Sequence, residues 1–420
     1  MIQKLKGTYD VYGDLARKHN YAKSLFRAVC ESYNYSYIET PLIERSELFH
    51  RGVGETTDIV TKETYDFIDR GGRENTIRPE GTAGVARAVI ENKLYTTLPL
   101  KFYYIGSMFR YERPQKGRYR ELRQMGIEVY GPSSPKMDAE VISLGANYLK
   151  ELGIKNVKVK LNSIGGIETR KKYREALISY FEKDIDSFCD DCKERLLKNP
   201  LRILDCKVDA ENEKIKNAPS ILDYLSDEEK EFFSQLQKYL DVLDVDYEID
   251  SSLVRGLDYY TNTVFEYTTD IKDFGSIGGG GRYDNLLSSL DGPDVPAVGF
   301  AFGFDRIINT LEELEIKLDL NDSVDAYILT VTEKEDDYAI ELAQTLRMCG
   351  YKVDMDFMGK SMKAKFKEAD RYKSKFVIII GEEEAKSSTL TVRDNLTKEE
   401  RKVDYDDLID YFDTNIYMWA

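Results

Sequence analysis

The sequence predicts an α+β protein: a large body on a central antiparallel sheet with a helical insertion, followed by a small α/β domain. Three observations predict it. Tyr103–Gly131, YYIGSMFRYERPQKGRYRELRQMGIEVYG, reads as two strands of alternating apolar residues, about Leu100–Arg110 and Leu122–Tyr130, joined by a basic loop. Between about 167 and 240 glycine disappears, charges alternate, and Tyr173, Leu177 and Phe181 recur at helical spacing. From 326 onward short apolar strands alternate with helices, the order of a small, mostly parallel sheet.

The elements follow along the chain. Leu15, Ala22, Leu25, Phe26, Val29 and Cys30 fall on one face of a helix. A strand at about Tyr35–Glu39 ends at Pro41, which cannot donate to a central ladder. RPEGTAG, Arg78–Gly84, sets a carboxylate, a glycine and a hydroxyl at the end of a short strand. The hairpin loop carries Arg113, Lys116, Arg118 and Arg120, and cations this dense need a polyanion to justify their self-repulsion. Arg110, Glu112, Gln124 and Glu128 stand on or beside its strands.

NPLRILDCK, Asn199–Lys207, lies within the insertion, and strand texture resumes at Tyr247. Gly278–Gly281 allow a backbone to approach a ligand closely, but Arg282-Tyr283 follow where a P-loop requires Lys-Ser/Thr. AVGFAFGFDRIINTLEEL, Ala297–Leu314, is a strand running into a helix. Arg306 near its start adds charge to the positive end of the helix dipole, which is costly unless an anion binds there. A polar stretch at 319–325 reads as a linker between a body at 1–318 and a domain at 326–420. Strands are expected there at Ala326–Val331, Lys352–Asp356, Phe376–Ile380 and Thr389–Arg393. A basic stripe between Lys360 and Lys375 falls on a helix from about Ser361 to Tyr372.

Composition excludes several classes. With 42% hydrophobic and 32% charged residues, and no apolar run near the ~20 residues of a membrane helix, a soluble globular protein is expected. The N-terminus has no signal-peptide core, so a cytosolic protein with no membrane partner is expected. Five cysteines in 420 residues do not make a disulfide framework. Cys189-x-x-Cys192 with Cys206 leaves a zinc site one ligand short, so helical packing is their expected role and no metal is predicted. His19 and His50 lie outside every motif, which argues against a histidine general base. The net charge of −16 does not exclude nucleic acid, because counterion release depends on local basic surface.

The hairpin and the late strand–helix arginine together resemble motifs two and three of the class II aminoacyl-tRNA synthetases, and the N-terminal helix–strand–proline order resembles motif one. LVRGLDYYTNTVFEY (Leu253–Tyr267) and GSIGGGGRYDNLL (Gly275–Leu287) resemble the two histidine-specific motifs of the histidyl-tRNA synthetase family, and KLKGTYD (Lys4–Asp10), RPEGTAG and NPLRILDCK fit the same pattern. The resemblance spans essentially the whole chain. One departure is Asp305, where many relatives carry glutamate; the carboxylate is kept.

The resemblance implies a class II catalytic domain and an anticodon-binding domain. It implies activation of L-histidine by ATP with Mg²⁺, transfer to tRNA(His), and a homodimer through motif one. By it Arg110 takes the α-phosphate, Arg306 the γ-phosphate and Glu112 the adenine amino group. Arg255 faces the α-phosphate and the substrate carboxylate. Glu80, Thr82 and Gln124, with Gly81 between the first two, suit the α-amino group; Glu128 and Tyr260 suit the imidazole nitrogens, and Tyr259 lines the pocket. Gln115, Lys116, Arg118 and Arg120 would meet the acceptor end of tRNA, and Lys363, Lys367 and Arg371 its anticodon end. The competing reading is a regulatory paralogue that does not aminoacylate. The biosynthetic kind generally lacks the anticodon domain and the sensor kind carries a kinase domain, while this chain keeps all three phosphate cations.

Overall fold

The expected hairpin forms, and its two strands stand second and third in the larger sheet. The computed structural model describes the chain except residues 55, 56, 58, 205, 207, 270, 272–274, 319, 321, 322 and 417–420. It divides into two units, 1–318 and 319–420. Part of the expected linker, and two positions of the NPLRILDCK segment, lie outside the described residues.

In the first unit the strands are β1 (Ser36–Tyr37), β2 (Ile43–Arg45), β3 (Tyr65–Ile68), β4 (Glu74–Ile77), β5 (Leu100–Phe109), β6 (Glu121–Tyr130), β7 (Val157–Ser163), β8 (Tyr247–Ile249), β9 (Thr261–Thr269), β10 (Ser276–Arg282) and β11 (Ala297–Gly303). Among the described residues eight of them form one sheet in the order β1-β5-β6-β11-β10-β9-β7-β8, and β2-β4-β3 form a small separate sheet. β5 and β6 pair without a slip from Leu100↔Tyr130 to Phe109↔Glu121. The first strand is shorter than the sequence suggests and pairs parallel to β5 at the sheet edge.

Alternation along β6 and β11 sorts the two faces. Met125↔Phe302, Ile127↔Phe300 and Val129↔Val298 point into the main core, under helices α1 (Gly13–Ser32), α4 (Pro135–Glu151), α8 (Asp227–Val242) and α10 (Phe304–Glu313). Gln124↔Gly303, Gly126↔Ala301 and Glu128↔Gly299 point to the other face. Polar residues stand there opposite residues with almost no side chain, and this clears a hollow on the sheet. Gly278 and Gly280 of β10 lie against Phe302 and Phe300, where a Cβ would come within 2.3 and 2.6 Å of those residues.

The remaining helices of this unit are α2 (Ser46–Val53), α3 (Thr82–Glu91), α5 (Ile167–Phe181), α6 (Asp190–Lys198), α7 (Glu213–Lys216) and α9 (Leu286–Ser289). The expected insertion at 167–240 is helical, but it is not a separate body. Phe233, Leu236 and Leu240 of α8 belong to the main core, while Tyr173, Leu177, Phe181 and Leu196 join a second cluster with Tyr104, Tyr130 and Tyr260. The insertion therefore shares apolar surface with the sheet it interrupts.

The second unit holds β12 (Ala326–Thr330), β13 (Val353–Met355), β14 (Phe376–Ile380), β15 (Thr389–Asp394) and β16 (Glu400–Asp404), in the order β13-β12-β14-β15-β16. The first three in that order are parallel, and β15 and β16 are antiparallel, so the expected mostly parallel sheet is mixed. The segment 381–388 between β14 and β15 is too short for the dozen or more residues of a parallel crossover, and the chain reverses instead. α11 (Asp336–Met348) and α12 (Met362–Arg371) cover the parallel half.

Candidate active site

The hollow on the sheet is a cavity of about 280 Å³. Arg110 and Glu112 reach it from the end of β5, Gln124 from β6, Arg255, Tyr259 and Tyr260 from the loop before β9, and Arg306 from the first turn of α10. Glu80, Thr82 and Arg118 also line it. Residues from four distant stretches of sequence thus meet in one place.

The turn from β4 into α3 is built by Glu80. Its carboxylate accepts from the backbone N–H groups of Thr82 (2.8 Å) and Ala83 (2.7 Å), capping the helix start. Burial nonetheless raises its pKa, with those hydrogen bonds opposing. The Thr82 hydroxyl donates to Glu128 Oε1 at 2.7 Å, and the Tyr283 hydroxyl donates to the other Glu128 oxygen. Glu128 is only 1% exposed, and burial lifts its pKa well above the carboxylate range. It lies beneath the cavity lining. Gly81 lies against the Tyr104 ring, which a Cβ would meet at 2.5 Å, so its role is to let Tyr104 in.

The cations line the same cavity. Arg110 donates from Nε to the Pro79 carbonyl at 2.9 Å and stands 3.9 Å from Glu112, which is 3.7 Å from Arg118. Arg255 pairs with Glu266 and lies 5.8 Å from the centre of the Tyr260 ring. Arg306 donates from Nη1 to the Ser276 carbonyl at 2.5 Å. Burial pushes its pKa down, and Arg118 and Arg110 push the same way. A group of guanidiniums that destabilise one another lowers its energy when a polyanion enters. Gln124 Oε1 and Arg255 Nε are buried with no partner among the described residues, and both belong to residues that line this cavity. Buried polar atoms of that kind are normally satisfied, so a ligand is the natural partner.

Sequence reading missed Glu266, Tyr283 and Arg123. Alternation along β9 places Glu266 beside Gly279 on the cavity face, opposite in register and next to Arg255. Tyr283 sits in the glycine motif directly before the chain turns away from the sheet. Asp305, the carboxylate of the late strand–helix motif, accepts from the Arg123 backbone N–H at 2.8 Å and pairs with the Arg123 guanidinium at 3.2 Å. The loop cations do not all face outward. Lys116 pairs with Glu313, and the Arg120 guanidinium lies 4.0 Å over the Tyr111 ring. Gln115 and Arg118 exchange backbone hydrogen bonds around Gly117, whose φ of +74° favours glycine.

In the second unit Lys363, Lys367 and Arg371 are exposed, four residues apart on α12. The rest of the basic stripe is partly spent inside the fold. Lys365 is buried near Asp356, Lys360 holds Glu368 at 2.7 Å, and Lys375 holds Asp325 at 3.0 Å.

Comparison with known proteins agrees with this geometry. The family model for histidyl-tRNA synthetase matches residues 7–307, and the anticodon binding domain model matches 325–415. Histidine–tRNA ligase 2 of Bacillus cereus is 46% identical over 415 residues, 98% of each chain. Histidine–tRNA ligase of Bacillus licheniformis is 45% identical over the same share. The crystal structure of apo histidyl-tRNA synthetase from S. aureus superposes with a TM-score of 0.84 at 38% identity, covering 98% of this chain and all of that one.

Proposed function

The chain belongs to the histidyl-tRNA synthetase family and ligates histidine to tRNA at the expense of ATP, and from this premise we propose how its own residues divide the work. The observation that carries the reading is the convergence of Arg110, Arg255 and Arg306 on one cavity beside the buried Glu80–Thr82–Glu128–Tyr283 network.

Histidine enters with its ammonium toward Glu80, Thr82 and Gln124, and its imidazole toward Glu128 and Tyr260, beside Tyr259. Its carboxylate oxygen attacks the α-phosphorus of ATP, the bond to the bridging oxygen breaks, and diphosphate leaves. Charge grows on the phosphate oxygens, where Arg110 and Arg255 stabilise it, while Arg306 holds the γ-phosphate and Glu112 the adenine amino group. A terminal ribose hydroxyl of tRNA then attacks the activated carbonyl and AMP leaves. Mg²⁺ would be carried by ATP and would supply charge neutralisation at its phosphates. The nearby carboxylates Glu112 and Glu266 already face guanidiniums, which fits a metal carried by the nucleotide.

Residues 1–318 then serve as the catalytic domain and 326–420 as the anticodon-binding domain, joined at 319–325. Gln115, Lys116, Arg118 and Arg120 serve the acceptor end, and Lys363, Lys367 and Arg371 the anticodon end. Two copies pair through the edge around β1, where Tyr37, Leu42 and Ile43 are exposed apolar residues. Among the described residues no helix is long and apolar enough to cross a membrane, and a tRNA substrate puts the work in the cytoplasm. Histidine-dependent pyrophosphate exchange followed by charging of tRNA(His) tests the reading: exchange without charging would favour a paralogue, and absence of both would refute the assignment.

A further inference from the structure

The helical insertion contains a cluster that the ligation chemistry does not use. Cys189 caps α6 and Cys192 lies in its first turn; Cys206 and Asp209 follow the short helical turn Pro200–Ile203. The three cysteines fall one ligand short in sequence, and the fold supplies the fourth as Asp209. The four ligand atoms lie within 4.8 Å of one another. Cys189 Sγ is 3.7 Å from Cys206 Sγ, and Cys206 Sγ is 3.6 Å from the Asp209 carboxylate. A tetrahedron with Zn–S of about 2.3 Å and Zn–O of about 2.0 Å has S···S edges of roughly 3.8 Å and S···O edges of roughly 3.5 Å. These two separations match those edges and the rest stay within 4.8 Å, whereas a disulfide would need about 2.05 Å.

We propose that Cys189, Cys192, Cys206 and Asp209 form a structural zinc site. The ligands come as two pairs, Cys-x-x-Cys and Cys-x-x-Asp, and the thiolate-rich set selects a soft or borderline ion over Mg²⁺ or Ca²⁺. Backbone groups orient them: the Asp209 N–H points at the Cys206 sulfur (3.4 Å), and the Cys189 N–H donates to Asp209 Oδ2 (3.0 Å). Cys192 and Cys206 are buried, so the ion is shielded from water on that side.

The ion would tie both ends of the segment 189–209 together. The middle of that segment leans on the substrate loop: Arg202 donates to the Gly256 carbonyl at 3.2 Å, and Asn199 approaches Asp258 at 3.5 Å. Gly256 is the neighbour of Arg255. The zinc site therefore braces the insertion against the loop that carries a phosphate-binding cation, as a positioning device outside the reaction itself.

The test uses the full chain, freed of any affinity tag and purified without chelator. Elemental analysis should find one zinc per chain. After metal removal under reducing conditions, Co²⁺ should give thiolate-to-cobalt charge-transfer bands and tetrahedral d–d bands, both displaced by one equivalent of Zn²⁺. Cys206→Ser should lose the bound zinc, and Asp209→Cys should retain it with stronger charge transfer. Zinc well below one equivalent together with no cobalt bands in the wild-type chain would overturn the proposal, even if the variants fail to fold. So would cobalt bands unchanged in Cys206→Ser, or a thiol titration showing two cysteines consumed in a disulfide.

Discussion

Arg255 shows how a single residue is held ready. Glu266 pairs with it, while its Nε is without a partner among the described residues. Replacing it with alanine removes a preorganised cation, and adenylate formation should fall by about 10²–10³. Pyrophosphate exchange measures this; a rate near that of the wild type would remove Arg255 from the mechanism. Glu128 acts from below the cavity, fixed by Thr82 and Tyr283. Glu128→Gln should raise the KM for histidine or lower turnover while leaving the KM for ATP nearly unchanged, because its network stands against the imidazole and includes none of the residues assigned to ATP. Steady-state kinetics with each substrate varied separates the two, and an effect confined to ATP would show the pocket to be wrongly divided. Both residues stood out as candidates from residue type at a motif position, so their candidacy was legible in the sequence. Glu266 was not, because its importance lies in its pairing with Arg255, which the fold of the loop before β9 brings about.

Among elements, β10 is the most constrained. A Cβ on Gly280 would lie 1.9 Å from the Gly299 carbonyl and 2.6 Å from Phe300 Cα, so backbone rather than a flexible side chain must move. Gly280→Ala should cost at least about 3 kcal/mol, the upper range for overpacking. Gly256→Ala, with nothing within 4 Å, is the control. Chemical denaturation should show a clearly lower midpoint for the first variant only. Helix α1 carries a different constraint in His19, which is 1% exposed, with Phe304 edge-on at 4.8 Å and neither ring nitrogen partnered among the described residues. Burial, with Arg123 and Lys23 nearby, lowers its pKa to about 4. The unfolded chain therefore takes up this proton first. Stability from a neutral His19 is complete above about pH 6.5 and is lost as pH falls toward 4, by up to about 3 kcal/mol. His19→Leu should flatten the stability–pH curve across that window relative to the wild type; parallel curves would show that His19 does not set the slope. The helix face was readable from its apolar spacing, and position 19 falls on it between Leu15 and Ala22, but a polar ring there is passed over by a search for apolar residues.

At the scale of the whole molecule, the two units should separate two measurements. Charge reversal at Lys363, Lys367 and Arg371 should weaken tRNA charging and leave pyrophosphate exchange intact. Each lost phosphate contact should flatten the log–log salt dependence of charging by roughly 0.7–0.9. Equal loss of both activities would contradict a division of labour between 1–318 and 326–420. The net charge of −16 makes the exposed face of α12 a local exception on an acidic chain, which suits one docking surface more than general polyanion binding.

The sequence by itself determined the hairpin, the glycine strand, the strand-to-helix arginine and the helical texture of the insertion, because each is written in a local period or a turn residue. It also placed Arg110, Gln124, Arg255 and Arg306 as candidates through the motifs that hold them, since a lone arginine or amide reads as an ordinary surface residue. Tertiary structure decided what depends on pairing between distant segments. β11 lies between β6 and β10, and this sets Gly299 and Gly303 opposite Glu128 and Gln124, opening the cavity. It buried Lys365 of the basic stripe and paired Lys360 and Lys375 with carboxylates, made the C-terminal sheet mixed, and brought Asp209 to three cysteines. Such outcomes are set by register and packing between strands and helices far apart in the chain, and no window of local sequence carries that information.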